Sequence, residues 1–341
     1  MKKPELPSVS VVIPVYNSAW VLEDCLNRIV GQDYPKIKME IILVDGGSTD
    51  STLAIAKKFG VKRVFKNPLR TGEAGKAVGV AKARNDVIAL IDSDNLLPDS
   101  EWLKRMVAPF ADRDIFAAEP WDYDWRRVDP LITRYCALLG MNDPLCFYLG
   151  NYDRRNGING RWTGLELKQE DKGAWIKVKL EVRALPTIGA NGFLIRRKDL
   201  LKTAVAPYLF DIDSVYDLVR SGRKHVAKVK TGIIHLYCRD LGDFMRKQRR
   251  RISDYLYYRE HAMRRYPWGA IPKWRLAWFV VATLLVLPNI LQALRGFLRK
   301  PDFAWFFHPL ACLSTLAVYG WAVTYGQFFG KHTILERKGW K

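Results

Sequence analysis

No CxxC pair and no even complement of cysteines occurs in this chain. Cys25, Cys136, Cys146, Cys238 and Cys312 are five in number and widely spaced, which excludes a disulfide framework and a thiolate zinc site and reads as buried thiols of a reducing compartment. Acidic residues are scarce beside basic ones, 35 Asp+Glu against 55 Lys+Arg in 341 residues. The resulting net charge of +20 suits a nucleic-acid binder or a membrane-surface protein. No nucleic-acid recognition module accompanies it, so nucleic acid is not expected as a partner. Repeats and low-complexity tracts are missing too, and 49% apolar with 26% charged residues excludes a disordered chain. The opening "MKKPELPS" is short and polar, so no signal peptide is expected.

Long apolar runs are missing until residue 276. Residues 276–294 hold 19 residues without a charge and residues 303–329 another 27, each long enough for a bilayer that needs about 20. Lys273, Arg275, Arg295, Arg299, Lys300 and Lys331 flank them. A transmembrane hairpin over 276–341 with a short basic tail is therefore expected. Pro288 and Asn289 mark a kink in the first helix, and His308-Pro309 one in the second, which leaves a re-entrant or interfacial course open. Of the +20, residues 246–275 alone contribute +8. With Tyr255, Tyr257, Tyr258, Trp268 and Trp274 they form an expected collar of basic amphipathic interfacial helices (241–275) on anionic membrane lipid. Basic flanks on both sides of the pair assign both ends, and the domain that precedes them, to the cytoplasmic face of an integral membrane protein.

The first 240 residues have the rhythm of an α/β domain. "VSVVIPVYN" is a β-branched run too short for a helix, followed by helical spacing of Val21, Leu22, Cys25, Leu26 and Ile29. "MEIILVDGGSTD", "VKRVFKN" and "DVIALIDSDN" read as further strands, with a glycine-containing loop "RTGEAGKA" and a helix "AVGVAKARN" before the last. This alternation predicts a doubly wound sheet of parallel strands, whose ligands sit at the strands' carboxyl ends. Asn17, Asp45, Asp92 and Asp94 fall there. Residues 120–185 read as an irregular insertion with one alternating strand, "GAWIKVKLEV".

Asp92 and Asp94 at strand-end spacing can offer two hard oxygen ligands to Mg²⁺ or Mn²⁺ while leaving positions open for phosphates. At this point "VSVVIPVYN", "IILVDGGSTD", "GEAGKAVGVAKARNDVIALIDSDN" and "DIDSVYDLVRSGRK", in this order over roughly residues 8–250, resemble the family-2 glycosyltransferases of the GT-A fold, a Rossmann-like nucleotide-sugar domain. The resemblance implies an inverting transferase using a UDP- or GDP-linked nucleotide-diphosphate sugar. It places Pro14, Tyr16, Asn17 and Asp45 around the nucleotide, Asp92 near the ribose and metal, and Asp94 on the metal. It also implies a base at Asp211, eleven residues before Gly222, where Phe210 replaces the acid that usually precedes it; Asp213 is the rival. Lys76 is a phosphate contact or a solvated loop lysine. His235 is a third metal or phosphate contact or a core histidine. Gly189, Asn191 and Gly192 match the glycine-containing acceptor segment, with a plain turn as the alternative.

"RKQRRR" resembles a degenerate QxxRW motif, with Gln248 and Arg251 in place and Ile252 where Trp stands, so Gln248 and Arg251 are candidate phosphate contacts. The missing Trp argues against a polysaccharide synthase with its own channel. The expected acceptor is a polyprenyl phosphate or a lipid-linked glycan, whose reactive head lies at headgroup level, with the insertion 120–185 as the expected acceptor region. "DSDNL" stands where dolichyl-phosphate mannose synthases commonly carry "DADLQ", which tells against the narrower of these. A non-catalytic scaffold or nucleotide-sugar sensor is the alternative, and it predicts loss of Asp94 or of the base; both are retained.

Overall fold

The computed structural model describes residues 5–261, 263–267 and 272–329. Its strands are, in chain order, β1 (Val9–Val15), β2 (Met39–Asp45), β3 (Arg63–Lys66), β4 (Val87–Leu90), β5 (Asn95–Leu96), β6 (Ile115–Asp124), β7 (Lys168–Asp171), β8 (Trp175–Lys179), β9 (Phe193–Arg196) and β10 (His225–His235). The helices are α1 (Ala19–Val30), α2 (Thr52–Lys58), α3 (Gly72–Lys82), α4 (Trp102–Val107), α5 (Leu131–Leu139), α6 (Leu145–Leu149), α7 (Arg197–Leu200), α8 (Asp211–Arg220), α9 (Leu241–Glu260), α10 (Lys273–Leu285), α11 (Leu287–Arg299) and α12 (His308–Phe329). Two compact units result, one of residues 1–121 and 166–235 and the other of residues 122–165 and 236–341. The boundary thus runs through the region read as a single insertion at 120–185, instead of falling at 240.

The first unit is a mixed α/β layer structure around one sheet, ordered β3-β2-β1-β4-β9-β6-β10-β8-β7, with β5 paired to β10. The strands β3, β2, β1 and β4 are parallel, as the alternation with helices requires. Beyond β4 the sheet turns antiparallel: β9 pairs with β4 and β6, and β8 with β7 and β10. The sheet is therefore mixed, where an all-parallel one was expected. "TIGANGFLIRR" has no helix before it to complete a crossover, and only Phe193–Arg196 of it is strand.

The segment read as a loop, "GEAGKA", is the first part of α3. Thr71 caps it, its Oγ1 accepting from the Ala74 N–H at 3.1 Å. Its glycines serve close packing: a Cβ on Gly75 would stand 2.8 Å from Pro14 Cβ, and one on Gly79 would fall inside the Val12 side chain. Helix α3 therefore lies directly on β1 and directs Lys76 inward.

The second unit is helical, and its core is assembled from distant segments. Tyr135, Leu138 and Leu139 of α5, Tyr152, Phe244 of α9 and the fully buried Trp305 share one cluster. Helix α9 starts at Asp240, whose Oδ1 accepts from the Asp243 N–H at 2.8 Å. Residues Phe303–Thr324 form one helical stretch long and apolar enough to cross a membrane. The run at 276–294 is not a second straight span. It breaks at Val286, where φ is +62°, and α10 and α11 meet at 91°. Pro288 has no N–H to continue the α10 ladder, and in place of the straight first helix of the expected hairpin the structure has a bent pair, a broken span or a re-entrant loop. Tyr258 of the expected aromatic collar packs inward and is buried, whereas Trp274 is exposed. Trp268, Lys331 and the basic tail lie outside the described residues.

Candidate active site

The carboxyl ends of β1, β2 and β4 carry the loops that hold the expected nucleotide residues. Pro14 lies buried within β1, and Tyr16 and Asn17 follow it. Asn17 adopts φ +47°, a left-handed position that asparagine tolerates better than most side chains. Its N–H donates to Ser48 Oγ at 2.9 Å, and its Oδ1 accepts from the Thr49 N–H at 2.8 Å. Asp45 ends β2 and accepts from the N–H groups of Gly47 and Ser48 at 3.1 Å each, and from Ser48 Oγ at 2.6 Å. Ser93 Oγ donates to Ser18 Oγ at 3.1 Å, tying the Asp92–Asp94 loop to the turn after β1.

The Asp92–Asp94 loop is shaped by Asn95, which the sequence reading did not single out. Asn95 is fully buried; its Oδ1 accepts from the Asp92 N–H at 3.1 Å, and its Nδ2 donates to Asp94 Oδ1 at 3.3 Å and to Asn191 Oδ1 at 3.0 Å. Because Asn95 pairs with His235 in the β5–β10 ladder, His235 Nε2 comes within 3.4 Å of Asp94 Oδ2. Asp92 Oδ2 stands 3.8 Å from Lys76 Nζ. Among the described residues no three His, Cys, Asp or Glu side chains stand together as a metal-binding group. Of the expected ligands Asp92, Asp94 and His235, the structure brings Asp94 and His235 side by side and sets Asp92 beside Lys76. Such an O,N pair suits Mn²⁺ or Mg²⁺ that takes the rest of its shell from phosphate oxygens and water.

Lys76 is neither a loop residue nor solvated. It is buried on α3 and donates to Asp211 Oδ2 at 2.9 Å. Burial works against its charge, but Asp211 and Asp92 outweigh it and hold the ammonium above the ordinary lysine range. Asp211 opens α8, and the loop before it is fixed by the Leu209 N–H donating to the Glu73 carbonyl at 3.0 Å. Burial pushes the Asp211 carboxyl up to about 6, against the pull of Lys76 and with help from the charge on Asp92. Asp211 Oδ1 is buried and has no hydrogen-bond partner among the described residues. Asp213, two residues on, is 0% exposed.

Gly189, Asn191 and Gly192 all have positive φ, at +126°, +53° and +84°. Gly189 presses on the base candidate, since a Cβ there would stand 2.5 Å from Asp211 Cβ. Its N–H donates to Glu119 Oε1 at 3.0 Å, and Glu119 Oε2 accepts from Lys228 Nζ at 2.8 Å, with both side chains fully buried. No spacing in the sequence announces Glu119 and Lys228, which are 109 residues apart. Gln248 and Arg251 belong to the second unit. There Gln248 Nε2 and Arg251 Nη1 donate to the Asn142 carbonyl at 2.8 and 3.3 Å, and Tyr319 OH donates to Gln248 Oε1 at 3.1 Å and to Asp143 Oδ2 at 2.6 Å.

Residues 10–132 match the sequence profile described as "Glycosyl transferase family 2". Glycosyltransferase AglE of Haloferax volcanii is 36% identical over 108 residues, 30% of this chain and 35% of that protein. A Methanococcus voltae protein described as a dolichyl N-acetyl-α-D-glucosaminyl phosphate 3-β-D-2,3-diacetamido-2,3-dideoxy-β-D-glucuronosyltransferase is 32% identical over 108 residues, 30% of this chain and 33% of that one. The match thus spans about a third of the length of these curated relatives. The solved structure of mannosyltransferase PcManGT from Pyrobaculum calidifontis, in complex with GDP-Man and Mn²⁺, superimposes with a TM-score of 0.54 at 16% identity, over 94% of this chain and 88% of that one. At that identity the likeness concerns the fold. Residues 10–132 are thus similar to family-2 glycosyltransferases, and the fold is similar to that of the P. calidifontis mannosyltransferase.

Proposed function

We propose that this protein is an inverting glycosyltransferase that moves one sugar from a nucleotide-diphosphate sugar to a lipid-linked acceptor. The observation that carries this reading is Asp211: one carboxylate oxygen is held by Lys76, the other is buried without a partner among the described residues, and the Gly189 backbone packs directly against its Cβ. Inversion needs one base on the face of the sugar opposite the leaving group. With its carboxyl near 6, Asp211 is ionised at neutral pH and basic enough to take an acceptor proton. Lys76 fixes its orientation. Asp213, closed off from solvent, is the weaker candidate.

The donor nucleotide occupies the turns after β1 and β2, where Pro14, Tyr16, Asn17 and Asp45 lie, and its diphosphate points towards Asp92 and Asp94. Asp94 and His235 would hold a divalent cation; when bound, it stabilises the charge of the departing nucleoside diphosphate. Asn95 keeps Asp94 and the acceptor segment in fixed register, and Glu119 holds the N–H of Gly189. A lipid-linked acceptor is supported by the apolar, basic-flanked helices of the second unit and by what the name of the M. voltae relative says of its substrate. A polyprenyl phosphate or a lipid-linked glycan satisfies both. On this reading the protein is membrane-bound, with the donor site on the cytoplasmic face where nucleotide sugars are found.

The deciding experiment incubates the purified chain with Mn²⁺, a panel of UDP- and GDP-sugars and polyprenyl phosphate. A lipid-extractable glycosylated product is expected with one donor. Absence of both transfer and donor hydrolysis across the panel overturns the enzyme reading.

A further inference from the structure

We infer that α10 and α11 form a wedge that enters and leaves the same leaflet of an anionic bilayer, with its corner deepest and both ends at headgroup level. The inference deepens the membrane part of the function proposed above. Three observations meet in it, all within the second unit.

Helix α11 is amphipathic with its faces reversed. Leu287, Ile290, Leu291, Leu294 and Leu298 are exposed, whereas Asn289, Ala293 and Gly296 are buried. Polar side chains meet on the inside: Tyr148 OH donates to Asn289 Oδ1 and, at 3.1 Å, to Gln292 Oε1, and His308 Nε2 stands 2.8 Å from Gln292 Oε1. An apolar face turned outward over polar packing is the arrangement expected against hydrocarbon, and it exceeds what scattered surface leucines need explain.

The corner is both apolar and exposed. Leu284, Leu285 and Leu287 are 67, 63 and 60% exposed, and Val286 between them is exposed as well. Charge is confined to the two far ends, with Lys273 and Arg275 opening α10 and Arg295, Arg299 and Lys300 closing α11. An apolar tip with cationic feet matches a leaflet whose headgroups are anionic.

Geometry then sets the depth. Each arm has 13 residues and the bend is 91°. At 1.5 Å per residue an arm is about 20 Å long. A symmetric wedge with arms tilted by about 45° reaches about 14 Å, against a hydrocarbon half-thickness of about 15 Å. The pair fits one leaflet and is too short to cross both.

The test uses the full chain in vesicles of equal parts phosphatidylcholine and phosphatidylglycerol, carrying Lys273→Cys and Lys300→Cys together. Both positions are exposed. A membrane-impermeant maleimide is added outside, and mass spectrometry counts labels per molecule above the wild-type background. The wedge predicts either two labels or none on each molecule, whatever its orientation. One label per molecule shows a crossing between the two positions and overturns the wedge. A chain that fails to float with vesicles and runs as a dimer covers this surface with a second copy, which also overturns it. Transfer to polyprenyl phosphate, measured in detergent on the same preparation, reports separately: one label with active transfer removes the wedge alone, and absent transfer removes the functional reading. Leu285→Asp, at a position 63% exposed, should lower vesicle binding at least about tenfold with unchanged circular dichroism. Unaltered binding overturns the corner's placement.

Discussion

Asp211 is held between opposing influences, and the balance is measurable. Burial and the charge on Asp92 raise its carboxyl to about 6, while Lys76 at 2.9 Å pulls it down. Removing the lysine charge with Lys76→Met removes the lowering influence, so the base titrates higher. The acid limb of the pH profile of kcat/KM should therefore move to higher pH in this variant; a limb that stays in place or moves down excludes Asp211 as the titrating base. Asp211→Asn tests the role itself. With a hydroxyl acceptor, transfer should fall by about 10²–10⁴-fold, with nucleotide-sugar affinity unchanged by calorimetry. With a phosphate acceptor, already ionised, the loss should stay under about tenfold, because little proton transfer is then required. These carboxylates were legible in the sequence because strand ends and helix starts leave local signatures. The partner of Asp211 was not. Lys76 reads as a loop lysine until α3 is seen lying on β1 through Gly75 and Gly79, and Asn95 is one polar residue among several in "DSDN" until its side chain is seen to reach Asn191.

Among the elements, the pairing of β6 with β10 through Glu119 and Lys228 determines how well the Gly189 segment is held. Both side chains are 0% exposed, so neither charge has water to fall back on. Glu119→Ala should cost about 3–5 kcal/mol in chemical denaturation of the full chain, since it removes the carboxylate paired with the buried Lys228 ammonium and the acceptor of the Gly189 N–H together. The double variant Glu119→Leu with Lys228→Met should recover much of that stability but not the transfer rate, because Gly189 remains untethered beside Asp211. Recovery of both would mean that the pair serves stability alone. At this scale the parallel half of the sheet could be read from its alternation of apolar strands and helices. The antiparallel half could not, because β7 to β9 are short and their order depends on pairings across the 120–185 region. The break at Val286 was foreshadowed by Pro288 and Asn289, though a proline indicates an interruption and not a turn of 91°.

Over the whole molecule, charge is segregated. Residues 246–341 carry 17 basic and 4 acidic side chains, and residues 1–245 carry 38 and 31. Such an excess next to apolar helices creates a long-range attraction for anionic lipid that operates before any apolar residue is buried. Each basic side chain near the surface contributes about 1 kcal/mol at low ionic strength, and the attraction decays over a Debye length of about 10 Å at 0.1 M salt, shrinking as salt rises. Apolar insertion is not weakened by screening. Two components with opposite salt responses should therefore separate. Raising salt from about 0.1 to about 0.5 M should reduce partitioning onto phosphatidylglycerol vesicles by at least about tenfold, while partitioning onto pure phosphatidylcholine holds or rises slightly. Flotation at the two salt concentrations measures both. Equal salt sensitivity on the two lipids would mean that the basic stretch binds something other than lipid and that the apolar helices alone hold the chain at the bilayer. The electrostatic component would also bring the chain to the leaflet from which a nucleotide sugar can be supplied, so a loss of anionic preference should lower transfer to a bilayer-embedded acceptor more than transfer to the same acceptor in detergent.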